Sequence, residues 1–322
     1  MTTATLPTFD PEQGATVLTP ERDEPGYWVG CASVLAEDGR YLLTYRQRRP
    51  RGEAATERGW RCAVAVSENG VDFQDVWSVE KGELGTSSME RFCLHRRADG
   101  VYQLYISYVD PADNRWRIDV VEAASPESFD VAARRPVFTA AGTGTEGVKD
   151  PRVVRTSDGR LVMLISAAEG TFSEDERGAA HGTADIYNTG LSRSVSALAV
   201  SPDDGATWEW KGVVLRPGDG WDSWAARLNS VIETPEGFYG FYDGESDHTR
   251  NYEEKTGLVF SRDLLSWERL TPDGPAVVAP SGTGSVRYVD VVPEGGALRL
   301  YYEITRADGA HELRTLTIGA PV

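Results

Sequence analysis

Short alternating segments repeat along this sequence in groups of four. Within each segment, apolar and polar residues alternate over about four to eight positions, and Gly, Pro, Asn and Asp separate the segments, which is typical of β-strands joined by turns. Five such sets follow one another, and they begin near Cys31, Glu90, Asp150, Arg227 and Arg287. The starts lie roughly 60 residues apart except for a longer third set, and a four-strand repeat of this kind predicts the blades of a β-propeller.

We therefore predict an all-β fold, a five-bladed β-propeller with four-stranded blades that forms one domain over residues 1–322. The predicted blades cover residues 27–82, 88–140, 148–217, 225–275 and 285–318, and residues 15–20 complete the last of them. The fifth set contains only three strands, so we expect the segment from Ala15 to Thr19 to add the fourth. This N-terminal strand would close the ring and remove an exposed sheet edge.

Three turns between third and fourth strands share a pattern of Ser, a short polar residue, a turn residue and an aromatic residue. They begin at Ser67, Ser201 and Ser261. The pattern resembles the Asp-box of sialidases and related propellers, in which the Asp or Asn side chain bonds to its own turn and the aromatic ring packs beneath it. We interpret these turns as structural and expect no catalytic role for Asp203 or Asp263.

The third set is longer because it contains a polar segment from Glu169 to Leu191, which is rich in Gly and Ala. This composition predicts a loop. Long loops in compact domains are often functional, and the alternative is a surface excursion without a role.

Acidic residues outnumber basic residues by 50 to 33, which gives a formal net charge of −17. This charge argues against a nucleic-acid or anionic-membrane partner, because both require a basic surface. No apolar stretch is long enough to cross a membrane and no secretory signal is visible before Gln13, so we expect a cytoplasmic protein. Three cysteines, Cys31, Cys62 and Cys93, match no zinc or redox spacing. We expect no metal or other cofactor, with a cation in the channel as the alternative, and the sequence does not indicate the oligomeric state.

In a propeller, the starts of the first strands and the loops between second and third strands lie on one face. Charged residues are concentrated at these positions and would converge on the mouth of the central channel. The candidate catalytic carboxylates are Glu90, Asp150, Asp243 and Asp290. The candidate substrate ligands are Arg46, Arg91, Arg152, Arg227, Arg287, Lys149, Tyr108, Trp224 and Glu303. Because charges near a ring axis are costly unless they are paired or used, the alternative is a web of salt bridges between blades.

Carboxylates and arginines at one mouth suit glycoside cleavage. That reaction needs one carboxyl group to protonate the leaving oxygen and a second to act as base or nucleophile, and neighbouring arginines lower the pKa of a carboxylate. Asp150 and Glu90 are the leading pair, with Asp243 and Asp290 in reserve. We therefore predict a carbohydrate-active enzyme whose substrate is a small glycoside or oligosaccharide.

Several short motifs resemble those of the five-bladed propeller glycosidases, which include glycoside hydrolase families 43, 32 and 130. The segment from Gly147 to Val153 contains Asp-Pro-Arg and is similar to the segment that opens an inner strand in family 130, and to the Arg-Asp-Pro segment of family 32. Tyr45-Arg46 is similar to a Tyr-Arg pair in family 130. The resemblance implies a propeller that cleaves glycosidic bonds. In one departure, families 43 and 32 carry an aspartate on the first inner strand, where this chain has Val29-Gly30-Cys31-Ala32-Ser33.

Two alternatives to hydrolysis remain. The resemblance to family 130 implies phosphorolysis, with Arg46, Arg48, Arg49 and Lys149 as a clamp for the phosphate. The other alternative is a propeller that binds a sugar or metabolite without hydrolysing it, or one recruited for lyase or cyclase chemistry. The absent first-blade carboxylate favours this last alternative, since a fold does not fix a function.

Overall fold

Antiparallel four-stranded sets form most of the structure, a computed structural model that describes residues 7–52, 57–250 and 252–320. In every set the first strand pairs with the second, the second with the third and the third with the fourth. The helices are short, and among the described residues none is long and apolar enough to cross a membrane. The chain is therefore mostly β, as the sequence predicts.

The elements are bounded as follows. The first set contains β2 (Trp28–Glu37), β3 (Arg40–Arg49), β4 (Arg58–Ser67) and β5 (Gln74–Glu80), and the second contains β6 (Cys93–Arg96), β7 (Tyr102–Val109), β8 (Trp116–Ala123) and β9 (Arg135–Phe138). The third contains β10 (Gly147–Arg155), β11 (Leu161–Glu169), β12 (Arg193–Ser201) and β13 (Glu209–Leu215), and the fourth contains β14 (Ala225–Thr234), β15 (Gly237–Glu245), β16 (Lys255–Ser261) and β17 (Glu268–Arg269). The fifth contains β18 (Val286–Glu294), β19 (Ala297–Thr305) and β20 (His311–Gly319), to which β1 (Ala15–Leu18) is added by antiparallel pairing. The helices are α1 (Lys81–Leu84), α2 (Ala140–Thr143) and α3 (Glu174–Gly182), and single 3-10 turns lie at Pro11–Gln13, Val131–Ala133, Ile186–Asn188 and His248–Arg250.

The five first strands contact one another in circular order. β2 contacts β6 and β18, β10 contacts β6 and β14, and β14 also contacts β18. Single parallel bridges join neighbouring sets at Trp28 with His311 and at Ser194 with Ala225. The starts of the five sets therefore lie together, and the side chains found there come from distant parts of the chain.

Apolar side chains fill the space between successive sets. Leu42 and Val64 of the first set pack with Leu104 and Ile106 of the second, and equivalent clusters lie between each later pair of neighbours and between the fifth set and the first. Each fully buried aliphatic side chain of this size contributes about 1.5–3 kcal/mol. Because neighbouring sets cover both faces of the middle strands, β7 is buried along its whole length. Hydrophobic contact thus holds the sets together and leaves their starts for polar side chains.

The turns between third and fourth strands are held by their own polar side chains. Oδ1 of Asp203 accepts a hydrogen bond from the backbone N–H of Thr207 at 2.7 Å. Oδ1 of Asp263 accepts one from the backbone N–H of Ser266 at 2.9 Å. These carboxylate oxygens therefore stabilise the turns by accepting hydrogen bonds from their backbone N–H groups.

The segment from Glu169 to Leu191 contains regular structure, and the expectation of a plain loop is wrong. It includes α3, which begins with a capping box between Ser173 and Glu176. The Ser173 hydroxyl accepts from the Glu176 N–H at 3.3 Å, and the Glu176 carboxylate accepts from the Ser173 N–H at 2.8 Å. This reciprocal capping satisfies two otherwise unpaired backbone donors and favours a helix in a polar segment.

Candidate active site

Three first strands carry the same backbone irregularity at the same position. Cys31, Asp150 and Tyr288 have φ angles of 59°, 57° and 53°, and each lies where strand register shifts, in β2, β10 and β18 respectively. L-residues adopt this region rarely, and bulges of this kind redirect side chains and occur next to functional sites. The irregularity brings side chains from three distant strands toward one point.

Glu90 and Asp150, the leading predicted pair, are brought together at this point. A carboxylate oxygen of each and the Cys31 sulfur all lie within 4.8 Å of one another. Oδ1 of Asp150 accepts from the backbone N–H of Arg91 at 3.3 Å, and Lys149 Nζ lies 3.6 Å from Oδ2. Oδ2 of Asp150 makes no hydrogen bond to any residue that the structure describes. One carboxylate oxygen of the pair is therefore buried, faces the Lys149 ammonium group and accepts no hydrogen bond.

Positive charges surround Glu90. Oε2 pairs with Arg46, and Oε1 lies 3.3 Å from Nη1 of Arg48. Burial acts to raise the pKa of Glu90, but the charges of Arg46, Lys149 and Arg48 outweigh it and lower this pKa to about 2. Glu90 is therefore a carboxylate at neutral pH.

Glu303 of β19 lies directly against Gly30 of the first strand β2. A Cβ atom on Gly30 would lie 2.3 Å from Oε2 of Glu303, so only glycine fits beside it. Glu303 accepts from Arg46 Nη2 at 3.2 Å and from Arg287 Nη2 at 2.6 Å, and Nδ1 of His311 lies 2.8 Å away. Although burial opposes it, the charge of Arg287 holds the pKa of Glu303 well below its usual range. Glu303 is therefore a buried carboxylate whose oxygens are held by two arginines and one histidine.

Arg227 and Asp243, neighbours on β14 and β15, form a second part of the cluster. Nη2 of Arg227 pairs with Glu254 and lies 3.7 Å from Oδ2 of Asp243. Oδ1 of Asp243 accepts from the backbone N–H of Tyr288 at 3.1 Å. Burial raises the pKa of Asp243 to about 7 against the opposing charge of Arg227. For Glu254, burial is outweighed by Arg227 and Arg287, which lower the pKa to about 2.

Sequence reasoning missed Glu254 and Tyr288 as members of the cluster. Glu254 is fully buried and precedes β16, only a few residues beyond the second-to-third loop residues that the face argument considers. Extending that loop to the first residue of β16 would have included it. Tyr288 follows Arg287 at a first-strand start, and only its positive φ reveals that it occupies the position held by Asp150 in β10.

Asp290, Arg91 and Arg152 lie together in a separate ion cluster. Oδ1 of Asp290 accepts from Arg91 Nη2 at 2.9 Å and also from Arg152 Nε. Oδ2 accepts from the backbone N–H of Val34 at 2.7 Å. Both oxygens of Asp290 therefore connect four sets. This is the salt-bridge role that the sequence offers as the alternative to a catalytic one.

Tyr108 and Trp224 do not join the cluster. The Tyr108 hydroxyl donates to Asp119 at 2.8 Å and accepts from Arg134, both within the second set. The Trp224 ring contacts Arg193 and His248, with Arg193 5.1 Å from the ring centroid. Both aromatic side chains therefore contact protein groups outside the Glu90 and Asp150 cluster, and their predicted role as substrate ligands stays a prediction.

Residues 183–192 and the 3-10 turn at His248–Arg250 with Tyr252 cover the cluster. Lys149 Nζ lies 4.5 Å from the Tyr187 ring centroid, and the Arg48 guanidinium lies 4.2 Å from that of Tyr252. Asp185 holds the cover in place, because it accepts from the Tyr252 hydroxyl at 2.5 Å and pairs with Arg58 of β4 at 3.6 Å. Asp150 and Glu90 are only 2% and 1% exposed. A ligand therefore reaches them only if neighbouring groups move.

The Cys31, Glu90 and Asp150 atoms are close enough to hold a metal ion, but their surroundings do not suit one. The charges of Arg46 and Lys149 already compensate the carboxylates. Burial raises the pKa of Cys31 well above its usual value, so the sulfur remains a protonated thiol. A cation here would meet positive neighbours and a poor sulfur ligand.

No protein-family model and no curated protein sequence matches this chain. Similar solved structures include one described as a glycoside hydrolase, with a TM-score of 0.69 at 13% identity over 96% of this chain and 92% of that chain. Another comes from work on family 130, described as mannoside phosphorylases and hydrolases of β-1,2-mannosidic linkages in Candida mannan, with a TM-score of 0.63 at 16% identity over 96% of this chain and 93% of that one. A family 43 enzyme from Xanthomonas citri gives a TM-score of 0.60 at 12% identity over 96% and 93% of the two chains. At these low identities, the TM-scores show a shared fold. They confirm the predicted resemblance to the propeller glycosidases: this chain has the fold of glycoside hydrolases of families 43 and 130.

Proposed function

We propose that this chain is a carbohydrate-active enzyme that cleaves a glycosidic bond in a small glycoside or oligosaccharide. The observation that carries the proposal is the pair of Glu90 and Asp150, two carboxyl groups from different sets that lie beside cations and leave one oxygen unbonded. The fold that the chain shares with glycoside hydrolases supports it. We further propose that the five sets are the blades of one propeller domain and that β1 closes its ring.

The spacing of the pair favours retention of anomeric configuration. Carboxyl groups lie about 5–5.5 Å apart in retaining enzymes and about 6.5–9.5 Å apart in inverting enzymes, and the nearest oxygens here lie within 4.8 Å. Glu90, ionised at neutral pH, suits the nucleophile that forms a bond to the anomeric carbon. Asp150 donates its proton to the leaving oxygen, and as a carboxylate it then takes a proton from the water that releases the sugar from Glu90.

Asp243 is the second candidate for the proton donor. Its pKa of about 7 is close to the pH at which a general acid works best. Its oxygens already accept the Tyr288 N–H, whereas Oδ2 of Asp150 accepts no hydrogen bond from the described residues, and this difference favours Asp150. In this scheme Asp243 fixes the backbone of Tyr288 and the position of Arg227.

Cations of the cluster orient the reacting groups and the substrate. Arg46 holds Glu90, and Lys149 lies beside Asp150. Arg227 and Arg287 share Glu254, and Nε and Nη1 of Arg227 have no hydrogen-bond partner among the described residues and are available for hydroxyl or acidic groups of a sugar. Their donors are fixed before substrate arrives, which reduces the reorganisation needed during the reaction.

Phosphorolysis remains the second proposal because the fold is shared with the family 130 structure and because cations adjoin Glu90. The pairing of the clamp residues argues against it. Arg46 and Arg48 are engaged by Glu90, and Arg49 pairs with Glu21 at the surface, with 2.7 Å between Nη2 and Oε1. A phosphate dianion would have to compete with these carboxylates.

Turnover of a panel of p-nitrophenyl glycosides, measured with and without inorganic phosphate, tests both proposals. We expect hydrolysis without phosphate, and a loss of about 100-fold or more in kcat for Asp150→Asn and for Glu90→Gln. Asp203→Asn, at a turn on the other end of the third set, is the matched control and keeps full activity. Full activity in both site variants would refute the assignment, and absolute dependence on phosphate would establish phosphorolysis instead.

A further inference from the structure

Buried polar atoms without partners are concentrated beside Asp150, and most of them are donors. Nε and Nη1 of Arg227, Nδ2 of Asn229 and Nε of Arg91 make no hydrogen bond to a residue that the structure describes. The three residues are at most 2% exposed. Leaving a buried polar group unsatisfied is costly, and more so when the group is charged, so these atoms require a specific explanation.

These atoms belong to one region, at the junction of β6, β10 and β14. Nη1 of Arg91 donates to the backbone oxygen of Asn229 at 2.8 Å, and the backbone N–H of Arg91 donates to Asp150 at 3.3 Å. Arg227 lies two residues before Asn229 on β14, and the negative charge of Asp150 contributes to its raised pKa. The unpartnered donors therefore lie on strands that adjoin Asp150, whose Oδ2 accepts no hydrogen bond and lies 3.6 Å from Lys149 Nζ.

The balance of unpartnered donors and acceptors indicates which kind of ligand would suit these residues. Several N–H groups, one of them on a guanidinium, require an occupant that accepts hydrogen bonds and carries negative charge. Oδ2 of Asp150 requires the same occupant to donate one. A sugar ring that carries one carboxylate and a nearby hydroxyl does both, whereas a phosphate dianion would bring two negative charges against Asp150 and Glu90.

We propose that the site binds an acidic sugar, a uronic acid residue whose carboxylate accepts from Arg227 and Asn229 and whose hydroxyl donates to Asp150. This inference rests on the proposed function for the position of the site, and it names the substrate class. Arg227 is the specificity-determining residue, because it offers charge and two free donors at once.

Isothermal titration calorimetry with D-glucuronate, D-galacturonate, D-glucose, D-galactose and inorganic phosphate tests the inference. We expect at least one uronate to bind and the matching neutral sugar to bind roughly 10- to 100-fold more weakly, the range expected for losing one charge-assisted hydrogen bond. Asn229→Asp replaces a donor by an acidic acceptor of the same size. Arg227→Lys keeps the positive charge but removes the planar set of N–H donors of the guanidinium group. Both are expected to weaken uronate binding by about the same factor, while Arg262→Gln, at an exposed turn, leaves it unchanged.

The outcomes separate this inference from the proposed function. Equal binding of acidic and neutral sugars, binding of phosphate alone, or no uronate binding by the wild type would overturn the inference. Cleavage of neutral glycosides but not of uronides would overturn it while leaving the proposed function standing. Uronate binding with no cleavage of any glycoside would sustain the inference and remove the proposed function. Thermal unfolding of each variant, with unchanged midpoints expected for Asn229→Asp, identifies losses that come from misfolding.

Discussion

Replacing Gly30 by alanine tests whether Glu303 is packed so closely against the first strand that only glycine fits there. A Cβ atom at residue 30 would lie 2.3, 2.5 and 2.7 Å from Oε2, Cγ and Cβ of Glu303. Gly30 is not in the left-handed region, so the substitution adds no backbone strain. The effect of the change is therefore steric and electrostatic.

The magnitude follows from how firmly Glu303 is held. Its carboxylate is fully buried and bound by Arg46, Arg287 and His311, so it cannot swing away as a surface side chain does. Overpacking costs about 1–3 kcal/mol, and breaking a buried ion pair costs about 3–5 kcal/mol. We expect Gly30→Ala to lower the free energy of unfolding by about 3 kcal/mol or more.

Urea unfolding followed by tryptophan fluorescence measures this loss. Gly178→Ala is the matched control, since no other atom lies within 4 Å of the added methyl group in α3, and it is expected to be neutral or to stabilise by about 0.5–1 kcal/mol. In a Glu303→Gly background the colliding atoms are gone, so Gly30→Ala should cost little there. A loss below about 1 kcal/mol, or an equal loss in both backgrounds, would refute the packing argument.

Three further predictions concern the cover, the turns and pH. Asp185→Asn should loosen residues 183–192, seen as roughly tenfold faster amide hydrogen exchange there and not in the strands; unchanged exchange would contradict the role of this residue in holding the cover. Asp203→Ala should lower the free energy of unfolding by about 1 kcal/mol and leave kcat/KM unchanged, and a tenfold loss of activity would contradict the structural assignment. The pKa of Glu90 and of Glu254 is lowered from 4.5 to about 2, so the stability they contribute above pH 4.5 is lost as pH falls toward 2. The pKa of Asp243 is raised from 3.8 to about 7, so the free energy of unfolding declines as pH rises between these values. Asp243→Asn should therefore relieve a cost on the order of 4 kcal/mol at pH 8 relative to pH 3.5. Equal effects of this variant at both pH values would contradict the raised pKa.

The strand repeat and the residues at strand starts were predictable from the sequence. Alternation with period two and regularly spaced turns depend on neighbours in the chain, so they can be recognised without coordinates. The face argument brought Glu90, Asp150, Arg227 and Glu303 into one cluster because it depends only on strand order. It also included Tyr108, whose hydroxyl instead donates to Asp119 within the second set.

The roles of the clustered residues were not predictable in the same way. Asp290 and Asp150 both lie at first-strand starts, yet both oxygens of Asp290 accept hydrogen bonds, from two arginines and a backbone N–H, whereas one oxygen of Asp150 accepts none. The difference depends on partners from other sets, and no local pattern records it.

By itself, the sequence determined the strand-rich architecture, the grouping in fours and the meeting of acidic and basic residues at one end of the sets, because these follow from local propensity and chain order. Only the tertiary structure decided that Glu303 fills the space beside Gly30, that Glu254 joins the cluster and that residues 183–192 cover it. These features depend on packing between segments far apart in the chain, where a few tenths of an ångström and the number of nearby charges determine which groups are held and which remain free to react.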